Sequence, residues 1–138
     1  MVAFKWKDKM KISLILTVYN SISSVRPMFD SFLNNNVSGT EVVIVDAGSN
    51  DGTIEAIQSF SHKMPIKLII KRGCNIAQGR NSAIKNANGE IVAVTDFGCR
   101  FSDEWLKKIT APFKDNSVDI VAGFYLTRNY REAYDIFA

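Results

Sequence analysis

Short apolar runs alternate with helical repeats from one end of this chain to the other. Residues 12–18 (ISLILTV) read as a continuous apolar strand, the kind buried on both faces of a parallel sheet. Ile22, Val25, Phe29, Phe32 and Leu33 then recur at helical spacing, with Ser21, Ser23 and Ser24 as caps and Pro27 tolerable in a first turn. Asn34–Asn36 and Gly39 end that helix. Glu41–Val45 predicts a second strand, closed by the polar turn Asp46–Gly52, and Thr53 caps a helix carrying Ile54, Ile57 and Phe60. Pro65 stops it before a third strand over Ile66–Ile70. Lys71–Gln78 reads as a loop containing Gly73, and a third helix over Gly79–Ala87 ends at Asn88-Gly89. Glu90–Thr95 is a fourth strand that delivers Asp96 to its carboxyl end. Ser102 or Asp103 caps a helix around Trp105, Leu106 and Ile109, stopped near Pro112. Val118–Gly123 predicts a fifth strand, followed by an amphipathic tail with Tyr130, Tyr134, Ile136 and Phe137.

This alternation implies one layered α/β domain over residues 1–138, with a largely parallel sheet between helices. In such sheets ligands bind beyond the carboxyl ends of the strands. The polar residues Tyr19 and Asn20, then Asp46–Asp51, then Asp96, all fall there.

Composition narrows the picture modestly. With 46% hydrophobic and 22% charged residues, the 138-residue chain is ordinary for a folded domain. A net charge of +3 spread along the chain does not suggest a nucleic-acid partner. Lys5, Lys7, Lys9 and Lys11 interleave with Phe4, Trp6 and Met10, a pattern of a solvated terminal arm or of an edge touching an anionic membrane. The longest apolar run falls far short of the roughly 20 residues a membrane span needs. Cys74 and Cys99 stand apart and fit a reducing interior, so the expected location is cytoplasmic, with the cytoplasmic face of a membrane left open.

Candidate chemistry concentrates at the strand ends. The Asp46–Gly52 residues are good turn formers, yet a carboxylate at a strand end also suits a base imide or a ribose hydroxyl. Gly48 and Gly52 let backbone amides approach a ligand closely. Asp51 suits a helix cap. Arg80, expected at the start of a helix, has the fork geometry that clamps a diphosphate. Asp96 sits where a strand-end carboxylate meets a ribose or a divalent ion. His62, the only histidine, reads as a surface residue.

Four ordered blocks then resemble one family. Ser13–Asn20 (SLILTVYN) resembles the opening strand of family 2 inverting glycosyltransferases, and Val42–Thr53 (VVIVDAGSNDGT) their V-V-D-D-G-S-T-D-G-T signature. Asn75–Glu90 is similar to the A-R-N-x-G-I-x-x-A-x-G-E helix, and Val92–Leu106 (VAVTDFGCRFSDEWL) to the L-D-x-D-D-x-x-x-P-x-W-L segment. The resemblance spans roughly residues 12–110 and implies a GT-A fold, a UDP-, GDP- or dTDP-sugar donor, and a saccharide, lipid or protein acceptor. Carried over by position, it implies a donor site of Thr17 (where proline is usual), Tyr19, Asn20, Asp46, Gly48, Ser49, Arg80 and Asp96. It also implies Mg²⁺ or Mn²⁺ at Asp96.

Three departures stand out. Ala47 replaces the second aspartate of the turn, which reads as a mild change. Gly98 and Cys99 stand where the family places metal-binding acids, which removes oxygen ligands. Little chain follows Trp105, where the acceptor pocket and the catalytic base normally lie. Glu132 and Asp135 have no recognisable motif around them, so no base is assigned. A non-catalytic nucleotide-binding module, truncated or degenerate, is the alternative reading. A nucleotidyltransferase would need a Gly-rich loop after the first strand, and a dehydrogenase a G-x-G-x-x-G; neither is present.

Overall fold

A computed structural model describes residues 10–126. Continuous apolar strands and amphipathic helices alternate as the pattern demands: β1 (Ile12–Val18), α1 (Ile22–Leu33), β2 (Thr40–Asp46), α2 (Thr53–Gln58), β3 (Ile66–Ile70), α3 (Ile76–Lys85), β4 (Ile91–Val94) and α4 (Trp105–Thr110). A 3-10 turn over Ala111–Lys114 follows. The chain divides into two compact units, with the boundary between Leu106 and Lys107.

In the first unit the strands form a parallel sheet in the order β3-β2-β1-β4. The chain moves outward from β1 to β3, then crosses back through α3 to β4. Because crossovers between parallel strands are right-handed, that reversal puts α1 and α2 on one face and α3 on the other. Strand alternation agrees: Ile15, Val43 and Val45 cluster with Ala83 of α3. On the other side Val25, Met28, Phe29 and Phe32 of α1 are buried, and Phe29 stacks on Phe60 at 4.7 Å. The reversal leaves a switch point between β1 and β4, where the connections that follow the two strands leave in opposite directions.

Two boundaries and one interior position differ from expectation for local reasons. Pro27 is the sixth residue of α1, so it removes one backbone bond from the second turn. Gly52, at φ 96, occupies the cap position of α2, so Thr53 is the first helical residue. Asn75 and Gln78 form a reciprocal capping box that starts α3 at Ile76, earlier than the glycines suggest.

The second unit, over residues 107–126, contains the end of α4 and the 3-10 turn, after which Ser117 donates two hydrogen bonds to Asp115 Oδ1. The strand expected over Val118–Gly123 is absent: those residues join no ladder among the described residues, and Ile120 is exposed. Apolar content alone does not make a strand without a neighbour to take its N–H and C=O groups. The Lys5–Lys9 part of the basic run and the tail around Tyr130–Phe137 lie outside the described residues. No helix among the described residues is long and apolar enough to cross a membrane.

A polar clamp closes the amino-terminal edge of the sheet. Ser13 Oγ donates to Glu41 Oε1 at 2.6 Å, and Asn88 N donates to the same oxygen at 2.6 Å. Gly89 N donates to Ser13 Oγ at 2.8 Å. A Cβ on Gly89 would lie 2.5 Å from Ser13 N, inside backbone that cannot swing away. Gly89→Ala should therefore lower stability by about 1–3 kcal/mol, read as a fall in thermal midpoint. Partial burial pushes the Glu41 carboxyl up, but hydrogen bonds from Ser13 and Asn88 outweigh it and hold the pKa below its ordinary 4.5. A depressed carboxyl contributes stability above that value and loses it as pH falls through the depressed one. In urea titrations across acid pH, wild type should exceed Glu41→Gln most above pH 4.5 and converge with it below.

Candidate functional site

The site grows from two loops stitched together at the carboxyl edge of β1 and β2. Val18 pairs with Asp46 in the ladder, and Ala47 N donates to Val18 O at 2.9 Å. Asn20, at φ 43, then bridges the loops: its N–H reaches Ser49 Oγ at 2.8 Å and its Oδ1 accepts from Asn50 N at 2.9 Å. Ser21 N donates to Thr53 Oγ1 at 2.8 Å and Ile22 N to Asp51 Oδ2 at 3.1 Å. Asp51 also accepts from Thr53 N and Oγ1, and the Thr53 hydroxyl chiefly holds its carboxyl below the usual aspartate value. One carboxylate thus serves the starts of α1 and α2 together.

Asp46 organises the turn from inside. Its side chain is fully buried, and Oδ1 accepts from Gly48 N at 2.7 Å and Ser49 N at 2.6 Å, while Oδ2 is buried without a partner among the described residues. Its backbone carbonyl accepts from Lys71 N at 2.8 Å, and Ala47 O accepts from Gly73 N at 2.9 Å, which fixes the β3–α3 loop alongside.

These loops wall two contiguous clefts. The larger, about 780 Å³, runs from Tyr19, Ala47 and Gly48 across Arg72 and Gly73 to the first turn of α3. The second, about 320 Å³, shares Tyr19, Ala47, Cys74, Asn75 and Ile76 and continues to Thr17 and Asp96. Tyr19 and Ile76 expose 58% and 62% of their surface, so an apolar face stands on each side of the opening. Gly48, at φ 107, keeps its surface low: a Cβ there would press within 3.2 Å of Arg72 Cγ. Gly79 lets α3 settle onto β1, since a Cβ there would meet Thr17 Cγ2 at 2.7 Å.

Asp96 stands at the far end of the second cleft, and Arg80 Nη2 donates to its Oδ1 at 2.6 Å. The loop beyond is tied to α1: Gly98 N reaches Met28 Sδ, Phe101 N reaches Ser31 Oγ, and the Phe101 ring packs on Phe32 at 5.0 Å and Trp105 at 4.8 Å. A divalent cation wants several hard oxygen ligands. Asp96 already holds a guanidinium, Gly98 and Cys99 follow it, and among the described residues no group of three His, Cys, Asp or Glu could hold a metal. These residues do not fit a protein-held metal.

The expected site residues therefore separate. Thr17, Tyr19, Gly48 and Asp96 line the clefts, and Arg80 sits against Asp96. Arg80 lies in the second turn of α3, not at its start, because the capping box moves the helix forward. Asn20 and Ser49 are spent on stitching the loops, and the Asp46 carboxylate faces inward; the residue that lines both clefts at this strand end is Ala47. Arg72, Cys74, Asn75, Ile76 and Ala77 also line the cleft, and the Asn75-x-x-Gln78 spacing was the one sequence signal for them. Glu132 and Asp135 lie outside the described residues.

A parallel sheet wound in both directions, with clefts beyond the carboxyl ends of its strands, defines an α/β domain of the GT-A type. The family model of glycosyl transferase family 2 matches residues 13–135, and the chain belongs to that family. It is 31% identical over 133 residues to the uncharacterized glycosyltransferase YfnE of Bacillus subtilis, covering 93% of this chain and 33% of that protein. The mannosyltransferase PcManGT of Pyrobaculum calidifontis, solved with GDP-Man and Mn²⁺, superposes with a TM-score of 0.80 at 22% identity, over 91% of this chain and 39% of that one. TarS of S. aureus in complex with UDP gives a TM-score of 0.70 at 26% identity, over 86% of this chain and 38% of that one. The chain spans between about a fifth and two fifths of the length of the curated relatives it matches, and about a third of YfnE.

Removing the Asp46 carboxylate leaves two turn amides without their acceptor. Asp46→Ala should cost about 1–3 kcal/mol of stability without any ligand present, measured by denaturant unfolding.

Proposed function

We propose that this chain forms the donor-binding portion of a glycosyltransferase. The whole enzyme would take a nucleoside-diphosphate sugar and pass the sugar to an acceptor hydroxyl with inversion. One observation carries the reading: the cleft between Tyr19, Gly48 and the amino-terminal turn of α3 lies beyond the carboxyl ends of β1, β2 and β3 in a family 2 domain. The exposed Tyr19 ring offers a face on which a nucleobase stacks. Gly48 and Gly73 keep the cleft floor free of side chains, and the positive end of α3 favours phosphate oxygens. Arg72 and Arg80 supply guanidinium groups at opposite ends of the site.

In the transfer, the acceptor oxygen attacks the anomeric carbon from the face opposite the leaving group. Its proton passes to a carboxylate, the anomeric C–O bond to phosphate breaks, and the nucleoside diphosphate departs. The charge that develops on the departing diphosphate is what the cationic groups and helix dipole stabilise. The structures similar to this fold, one with GDP-Man and one with UDP, support a nucleoside-diphosphate-sugar donor, here a UDP-, GDP- or dTDP-sugar by proposal. The acceptor belongs to the saccharide, lipid or protein class, and a cytoplasmic site of action, at or near a membrane face, accords with this donor chemistry.

Thermal-shift screening with UDP, GDP, dTDP and CDP should find at least one nucleotide that stabilises the fold, since a ligand well above its Kd raises stability by a few kcal/mol. Tyr19→Ala should weaken that nucleotide's binding about tenfold, by loss of one base stack. No stabilisation by any of them would remove the donor-site assignment.

A further inference from the structure

The disagreement between this site and a protein-held metal points to a different source of positive charge. We propose that Arg80 takes that role: its guanidinium rests on Asp96 in the free protein and transfers to the donor's diphosphate on binding, so that donor binding does not depend on a divalent cation. The inference rests on the donor-binding reading above.

Three observations carry it. Asp96 is the only carboxylate among the described residues lining the two clefts, and it is already joined to Arg80 at 2.6 Å. A cation bound there would sit beside a guanidinium that carries the same sign of charge. Next, position 98 is not shaped for a second carboxylate. Gly98 lies at φ 91, a backbone conformation that side chains disfavour, and a Cβ there would come within 3.3 Å of Ser24 Oγ. Its N–H is turned to Met28 Sδ, and the loop after it is pinned to α1 through Ser31 and Phe101. A ligand set of the D-x-D kind would therefore need a different loop, not merely a different side chain. Finally, Ala47 lines both clefts at the end of β2, so no acid enters from that side either.

What remains is a pair poised to exchange partners. The Arg80 and Asp96 side chains expose 39% and 63% of their surface, so water competes for both ends and the pair is weakly held. A diphosphate carries more charge than one carboxylate and presents oxygens at the spacing a guanidinium fork matches. Arg80 lies one turn beyond the amino terminus of α3, on the helix whose first residues line the cleft. Asp96, released from Arg80, is then free to accept from a ribose hydroxyl.

Calorimetric titration of the protein with UDP and with GDP, in EDTA and again in excess Mn²⁺, tests this directly. For the nucleotide that binds, the Kd values in the two buffers should agree within about threefold. Arg80→Ala should weaken binding about tenfold or more in EDTA, and Arg80→Lys should recover only part of it, because an ammonium lacks the fork. Binding that appears only with Mn²⁺, or that Mn²⁺ tightens about tenfold or more in wild type but not in Asp96→Asn, would overturn the proposal while leaving the donor-binding reading in place. Unchanged binding in a folded Arg80→Ala would overturn it equally. If no nucleoside diphosphate binds in either buffer, the donor-binding reading itself fails.

Discussion

The buried carboxylate of Asp46 is the constraint on which the site depends. It sits at the last position of β2, accepts from the amides of Gly48 and Ser49, and so fixes the turn in which Ala47 faces outward. The turn in turn holds Asn20 through Ser49 and Asn50, and the start of α1 through Asp51 and Thr53. Its backbone carbonyl anchors the β3–α3 loop at Lys71. Three loops from three different crossovers are thereby held in one rigid edge before any ligand arrives. Preorganisation of this kind is what lets a cleft bind without a large ordering cost.

The reversal of winding after β3 supplies the second half of the account. Because α3 must cross from one edge of the sheet to the other, its amino terminus arrives at the strand ends beside β1. Gly79 lets it approach closely against Thr17, and the capping box exposes a full first turn to the cleft. The same helix carries Arg80 to Asp96. Fold and site are one geometric fact here: the switch point exists because of the topology, and the polar residues lie where the topology opens.

Much of this was legible in the chain. The central strands β1 and β2 announced themselves because strands covered on both faces are apolar throughout, the half-exposed edge strands β3 and β4 by shorter apolar runs, and the ordered motif blocks gave the family. The same continuity hid which strand-end residue faces the cleft. With β2 buried nearly along its whole length, no alternation of polar and apolar positions distinguishes Asp46 from Ala47. The start of α3 was misplaced because Gly73 and Gly79 read as loop signals, whereas Asn75 and Gln78 satisfy the first-turn amides and outweigh them. The run Val118–Gly123 has strand composition but no neighbouring strand among the described residues, and pairing is not written in a single segment. The Arg80–Asp96 contact links positions 16 apart on different elements, a separation no local pattern encodes.

The central claim is that a nucleoside diphosphate occupies the cleft beyond the carboxyl ends of β1, β2 and β3. A titration followed by backbone amide NMR tests it most directly, with UDP and GDP added in turn. The account predicts that at least one of them shifts Tyr19, Gly48, Gly73 and Cys74–Ala77 together, with little change at the amino-terminal clamp around Ser13, Glu41 and Gly89. Shifts centred elsewhere, or none with either nucleotide at saturating concentration, would contradict it.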